Sequence, residues 1–124
     1  MENLRRQYND NVQKFKADFA DCSDFLLKEA ETGGRKCFFA VMDGLVDSLQ
    51  LGQMIMGPVL GAQVKARTPG EQFRQLMRTC VQSVELKEAK TFEDAYYYLM
   101  SGFCVFVLDG CPRAMVMGIK GWTK

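Results

Sequence analysis

The 124-residue sequence contains no histidine, and this absence removes several kinds of active site. Ser-His and Cys-His nucleophile pairs, the commonest general base and the usual zinc sites all require an imidazole. Cysteine does not replace it, because the five cysteines form an odd set without a Cys-x-x-Cys pair. Cys37 and Cys104 lie inside apolar runs, where a thiol behaves as a small hydrophobic group. The sequence therefore indicates a reducing compartment and predicts neither a metal site nor a cofactor.

A charge excess and a long apolar run are also missing. Lys and Arg number 16 and Asp and Glu number 15, so the formal net charge is +1 and nucleic acid is not expected as a partner. No apolar run approaches the ~18 to 20 residues that cross a bilayer. The polar residues 1–7 do not form a signal peptide. We expect residues 1–124 to form one soluble domain.

What is present is an alternation of helical and strand patterns. Apolar residues at steps of three and four predict a helix over residues 2–20 whose apolar face covers the core. Capping patterns at Asp47, Thr68 and Thr91 predict three further helices. The first of these should stop or kink at Gly57 and Pro58. The predicted strands are residues 25–32 at a sheet edge, 37–42, 83–89, 103–108 and 113–119. This order predicts an α/β fold, with a mixed sheet of four to five strands flanked by helices in a single compact domain.

The two continuous apolar runs, 37–42 and 103–108, are each followed by Asp-Gly and should lie side by side as buried strands. Asp43 and Asp109 then stand at the edge where open α/β sheets bind ligands. They are candidates for binding a small molecule or for sharing acid and base roles. The alternative is turn formation alone, because Asp-Gly is a strong turn signal and no nucleophile or phosphate loop accompanies the pair.

Two aromatic residues are candidates for an interface. Three consecutive tyrosines must point around three sides of their helix, so one ring, assigned to Tyr97, should be exposed. Trp122 should pack back on the sheet or against another part of a larger protein. Cys111 in the turn after residue 108 is interpreted as structural rather than as a reactive thiol. Four methionines, Met54, Met56, Met115 and Met117, fit either gap filling under a sheet or an adaptable binding face.

In their order and in their amino-acid sequences, these segments resemble the N-terminal region of the GerA family of spore germination proteins. The matching segments are residues 23–25, 41–47, 57–60, 99–102, 107–110, 113–116 and 121–122. The most telling of them are Leu-Met-Ser-Gly at 99–102, the buried strand ending in Asp-Gly at 109–110, and Gly-Trp at 121–122. Two positions depart from the family pattern: Lys28 stands where arginine is expected, and Cys111 with Pro112 replaces a more polar turn.

The resemblance implies that the chain is the first of two soluble N-terminal subdomains of a larger membrane protein, the A subunit of a germinant receptor. The full-length protein would then lie in the inner spore membrane with the B and C subunits. This domain would lie on the reducing, cytoplasmic side, which is the spore core. The family supplies no catalytic residues to this sequence, so no enzymatic activity is expected.

Three functions remain open from the sequence. The first is a non-catalytic module for receptor assembly or signal relay in nutrient-induced germination. Its partners would be the other receptor subunits and the second N-terminal subdomain of its own chain. The second is a domain that binds a small-molecule germinant near Asp43 and Asp109. The third is a carboxylate-based enzyme, which the sequence disfavours because it offers no partner to either aspartate.

Overall fold

The computed structural model describes residues 2–79 and 84–119, in which five strands form one sheet. In chain order the strands are β1 (Phe25–Thr32), β2 (Arg35–Met42), β3 (Val84–Ala89), β4 (Cys104–Leu108) and β5 (Ala114–Ile119). Their order across the sheet is β1-β2-β4-β5-β3. The predicted α/β class with five strands is confirmed. All four neighbouring pairs are antiparallel, so the expected mixture of parallel and antiparallel pairs is not found among the described strands.

The position of each strand follows from its side chains. The two apolar runs, β2 and β4, are neighbours in the sheet interior and are buried on both faces, as their sequences predict. The charged strands β1 and β3 lie at the two edges, where Lys28 and Glu85 meet solvent. The β1–β2 hairpin turns through Gly33 and Gly34, at φ values of +61° and +78° that side chains disfavour.

Helices cover both faces of the sheet. They are α1 (Tyr8–Asp18), α2 (Ser48–Leu51), a π-helical turn (Gly52–Met56), α3 (Gly57–Gly61), α4 (Pro69–Thr79) and α5 (Phe92–Met100). The face under α1 and α5 has a core around Phe15 and Phe38. The opposite face, under the other helices, has a core around Phe73 and Phe106. Among the described residues, no helix combines the length and the apolar character that crossing a bilayer requires.

The predicted helix over residues 2–20 begins later than expected, at Tyr8. The backbone of the preceding segment pairs instead with the segment before α5, since the Leu4 amide donates to the Lys90 carbonyl at 2.9 Å. The fully buried Asn11 side chain fixes this arrangement, accepting from the Arg5 amide at 2.9 Å and donating to the Arg5 carbonyl at 2.7 Å. A backbone partner distant in sequence therefore replaced the first turns of the helix.

The helical segment after Asp47 also differs from the prediction, because it neither stops nor breaks at Gly57 and Pro58. Asp47 caps it as expected, since its Oδ1 accepts from the amides of Leu49 and Gln50 at 2.9 and 3.1 Å. The segment then widens into the π-helical turn, and Pro58 stands near the start of α3, where a missing N–H costs little. The capping prediction is thus confirmed and the predicted stop is wrong, while its alternative, a kink, stays a prediction.

Candidate functional site

The two strand-end carboxylates, Asp43 and Asp109, lie at opposite ends of the sheet. Because β2 and β4 are antiparallel, Cys37 pairs with Leu108 and Ala40 pairs with Val105. The Asp109 amide consequently donates to the carbonyl of Lys36, at the start of β2, whereas Asp43 follows the end of that strand. The expectation of one shared edge is therefore wrong, and each aspartate belongs to a different part of the surface.

Near the loop that contains Asp43, a cleft of about 320 Å³ opens between that loop and the end of α5. Leu45 and Val46 form one side, and residues 100–104 form the other. Its deepest part is apolar, because Ile55 and Met117 there are almost fully buried. We call this region the apolar cleft. Glu85 of β3 and Ser101 add polar groups to its walls. Pockets of this volume that combine an apolar interior with a few polar groups are typical of sites that receive a ligand or a partner side chain.

Gly102 shapes the apolar cleft because it ends α5 in a Schellman motif. The Gly102 amide donates to the Leu99 carbonyl at 3.2 Å, and the Phe103 amide donates to the Tyr98 carbonyl at 2.9 Å. The rings of Tyr98 and Phe103 make the hydrophobic contact that accompanies this motif, with centroids 5.1 Å apart. The φ of Gly102 is +94°, which explains a glycine at the end of Leu-Met-Ser-Gly. The predicted end of this helix is confirmed.

The outer side of α5, next to the apolar cleft, exposes Tyr97 and Met100. The neighbouring tyrosines are partly buried, and the Tyr96 hydroxyl donates to Asp18 at 2.6 Å. The expectation that one tyrosine ring is exposed is thus met by Tyr97, and its role as an interface residue stays a prediction. The other aromatic candidate, Trp122, lies outside the described residues.

At the other end of the sheet, Asp109 lines a second cleft of about 370 Å³, which we call the polar cleft. Side chains of both charge signs surround it: Glu31 and Asp109 are acidic, and Arg35 and Lys36 are basic. The Tyr8 hydroxyl lies beside it, 2.9 Å from Glu29 Oε1 and 3.0 Å from the carbonyl of Cys37. Burial, followed by the hydrogen bond to Glu29, raises the pKa of Tyr8, so the ring stays a neutral donor.

Sequence reasoning missed one buried polar residue that supports this region. The Gln72 amide is 5% exposed and joins three segments, because it accepts from Arg35 Nε at 2.7 Å and donates to the carbonyls of Gly33 and Ala66. The glutamine stands on α4 between Glu71 and Phe73, at the border of the apolar face, so no signal in the sequence marked it as buried. The contacts hold Arg35 at the border of the polar cleft.

The remaining candidates are structural. Cys111 is 1% exposed and belongs to the core, as interpreted from the sequence, and so do Met115 and Met117, which fill space under the sheet. Burial raises the pKa of the Cys37 thiol to about 12, and a neighbouring carboxylate, Glu31, adds to the effect. Among residues 2–79 and 84–119, no group of three or more Cys, Asp or Glu side chains is arranged to hold a metal ion.

Comparisons with known proteins give a family match and a structural match. The model of the Bacillus/Clostridium GerA spore germination protein family matches residues 13–124. No curated protein matches significantly. Among solved structures, the chain is similar to the N-terminal domain of the A subunit of the Bacillus megaterium spore germinant receptor GerK3, with a TM-score of 0.71 and 19% identity. The match covers 98% of this chain and 49% of that chain, so this chain spans about half of the solved domain. At this identity the likeness shows a shared fold.

Proposed function

The chain belongs to the GerA family of spore germination proteins, and from this premise we propose that it is the first N-terminal subdomain of a germinant receptor A subunit. Its role is receptor assembly or signal relay during nutrient-induced germination. The observation that carries the proposal is the family match, which extends over residues 13–124 rather than over one short motif. The resemblance of the sequence to this family is thereby confirmed.

The fold supports assignment of this chain to the N-terminal domain of an A subunit. The chain matches half of a solved A-subunit N-terminal domain, which leaves room in such a protein for a second subdomain of similar size. In this proposal, transmembrane helices in the full-length protein hold the subdomain at the inner spore membrane, on the reducing side of the spore core. Three unpaired buried thiols, those of Cys37, Cys104 and Cys111, are compatible with that compartment.

The proposed role is non-catalytic. Paired carboxylates perform acid and base chemistry when they face one substrate, and antiparallel pairing puts Asp43 and Asp109 at opposite ends of the sheet. Cys111, the thiol nearest to either turn, is buried. In this proposal the domain acts through surface contacts with other receptor subunits.

Affinity purification from spore membranes tests this function. A tag is placed on the full-length gene product, the protein is extracted with mild detergent, and co-purifying proteins are identified by mass spectrometry. We expect the B and C subunits of a germinant receptor in roughly equimolar amounts. Recovery of the tagged protein alone, or from the soluble fraction only, would contradict the proposal. A tagged inner-membrane protein of unrelated function serves as the control for non-specific capture.

A second candidate function is binding of a small-molecule germinant, and the polar cleft favours it at Asp109 rather than at Asp43. Acidic and basic side chains face the same volume there, which suits a small molecule that carries both charges. Titration calorimetry with amino acids and sugars tests this function. Asp109→Asn should weaken any binding that is found, and Asp43→Asn should leave it unchanged. Equal effects of the two substitutions would exclude the polar cleft as the site.

A further inference from the structure

We propose that the surface around the apolar cleft is a docking site for a basic amphipathic helix of another polypeptide. This inference rests on the proposed role in receptor assembly and names the chemistry of the partner. We call the surface the acidic-apolar surface. Its apolar members are Leu45, Tyr97 and Met100, and its acidic members are Asp43, Asp47, Glu93 and Asp94.

The apolar members are unusually exposed. Tyr97 is 67% exposed, Met100 is 62% exposed and Leu45 is 45% exposed. Tyr97 and Met100 are three positions apart on α5 and so share one side of the helix. Leu45 adjoins the end of the same helix, because a Cβ built on Gly102 would lie 3.7 Å from the Leu45 Cβ. Exposed aromatic and methionine side chains beside an apolar cleft are typical of protein interfaces.

The charged residues closest in sequence to these apolar side chains are acidic, and the wall of the cleft adds Glu85, which pairs with Lys87 at 3.8 Å. Asp43 and Asp47 flank Leu45 in its loop, and Glu93 and Asp94 precede Tyr97 on the outer side of α5. All four are exposed, and within the described parts of the chain none of them forms an ion pair with Lys or Arg. Because the whole chain carries a net charge of +1, this acidity is local. A partner that brings Lys or Arg would complement it.

A helix fits this surface better than an extended peptide does. Glu85 of the edge strand β3 lines one wall of the apolar cleft, but the exposed apolar members belong to a loop and to α5, where anchors about one helical turn apart match a partner helix better than a strand. One apolar side chain of a partner helix can enter the cleft toward Ile55 and Met117, while a second, one turn away, contacts Tyr97 and Met100. Basic residues at the borders of that apolar stripe would then face the four carboxylates.

Two other occupants fit less well. An anionic membrane surface would be repelled by the four carboxylates, whereas lipid-binding surfaces carry Lys and Arg. A second copy of the chain offers exposed arginines on α4, namely Arg74 and Arg78, but the described part of α4 exposes no large apolar side chain that could enter the cleft. Charge and apolar anchoring therefore point together to a different polypeptide.

The test uses a synthetic helix of Leu and Lys, about 18 residues or five turns long. Its affinity for the 124-residue chain is measured by fluorescence anisotropy, and a Leu and Glu peptide of the same pattern is the charge control. We expect only the Leu and Lys peptide to bind, and several-fold more weakly when salt rises from ~50 to ~300 mM. Equal binding of both peptides would overturn the proposal.

Variants locate the site. Tyr97→Ala and Met100→Ala should each weaken binding by roughly 5- to 30-fold, as interface anchors do. Neutralising Glu93 and Asp94 to Gln and Asn should reduce the salt dependence. Leu60→Ala and Asp10→Asn are the matched controls, because both side chains are exposed and line neither cleft. Loss of binding in these controls would place the peptide elsewhere and refute the proposed site.

Two further measurements identify competing occupants. Sedimentation of the chain alone would overturn the proposal if it showed a dimer that Met100→Glu dissociates, because the surface would then bind a second copy. Co-sedimentation with anionic vesicles, abolished by the same substitution, would assign the surface to lipid. Neither result changes whether the full-length protein co-purifies with receptor subunits, so failure of this inference is distinguishable from failure of the proposed function.

Discussion

Replacing Gly102 by alanine tests whether the backbone conformation at the end of α5, beside the apolar cleft, requires glycine. The backbone there has a φ of +94°, which strains an L residue by about 1–2 kcal/mol. The new Cβ would lie 3.5 Å from the Leu45 carbonyl oxygen, an ordinary contact that adds no clash. Alanine also restricts the unfolded chain, which offsets about 0.4–1 kcal/mol of the strain. We expect a net loss of about 1 kcal/mol in the free energy of unfolding.

The assay is urea unfolding followed by circular dichroism, supported by thermal melts in which this loss should lower the Tm by about 3–5 °C. Gly102→Asn should lose less, because asparagine tolerates positive φ better than alanine. Gly61→Ala is the matched control, since Gly61 ends α3 without a positive φ and has open space around its Cα. Alanine there should be neutral or stabilising by up to about 1 kcal/mol. If both alanine variants had the same stability, the backbone argument would be refuted.

Three further predictions concern the scaffold. Gln72→Met removes the three hydrogen bonds of a buried amide and should lower the free energy of unfolding, measured in urea, by about 2–3 kcal/mol. Gln13→Met on the exposed side of α1 is the control and should lower it by less than about 0.5 kcal/mol. Burial, with the hydrogen bond to Glu29 adding, raises the pKa of Tyr8. The unfolded state therefore loses the phenol proton first, stability falls as the pH rises above about 10, and Tyr8→Phe should flatten that fall between pH ~9 and ~11. In a Cys80→Ser variant, a thiol reagent should modify the half-buried Cys22 quickly, and the buried Cys37, Cys104 and Cys111 only at the rate at which the protein unfolds. Rapid modification of all four thiols would contradict the described core.

Local chemistry explains what the sequence predicts well. The apolar runs of β2 and β4 have one favourable environment, a sheet interior, and the two strands are found there side by side. Thr68 and Thr91 cap their helices because, at the start of a helix, the threonine hydroxyl lies close to the free backbone amide three residues later. The Thr91 hydroxyl, for example, accepts from the Asp94 amide at 3.1 Å. Such signals involve neighbours in sequence, and no distant contact is needed to interpret them.

The features that the sequence left unpredicted depend on distant contacts. Residues 2–4 carry a helical pattern, yet their backbone pairs with residues 90–92, which no local pattern encodes. The burial of Asn11 and Gln72 is likewise favourable only where carbonyls from other segments accept their amide protons. The direction of β4 relative to β2 also depends on distant contacts, because an apolar strand is buried equally well whether it runs parallel or antiparallel to its neighbour.

The direction of β4 decides how the candidate sites relate to function. This five-residue strand begins at the apolar cleft and ends beside the polar cleft, so the two regions are about 15–20 Å apart along a fully buried segment. Sites at that distance are independent unless a two-state element couples them. If the domain only assembles, Asp109→Asn should have almost no effect on the affinity for the Leu and Lys peptide, and the effects of Asp109→Asn and Met100→Ala should be additive.

A signal-relay role requires the two sites to be coupled. A ligand in the polar cleft must then change the affinity for the peptide, and the peptide must change the affinity for the ligand by the same factor. Measuring both affinities in the single and double variants therefore separates assembly from relay.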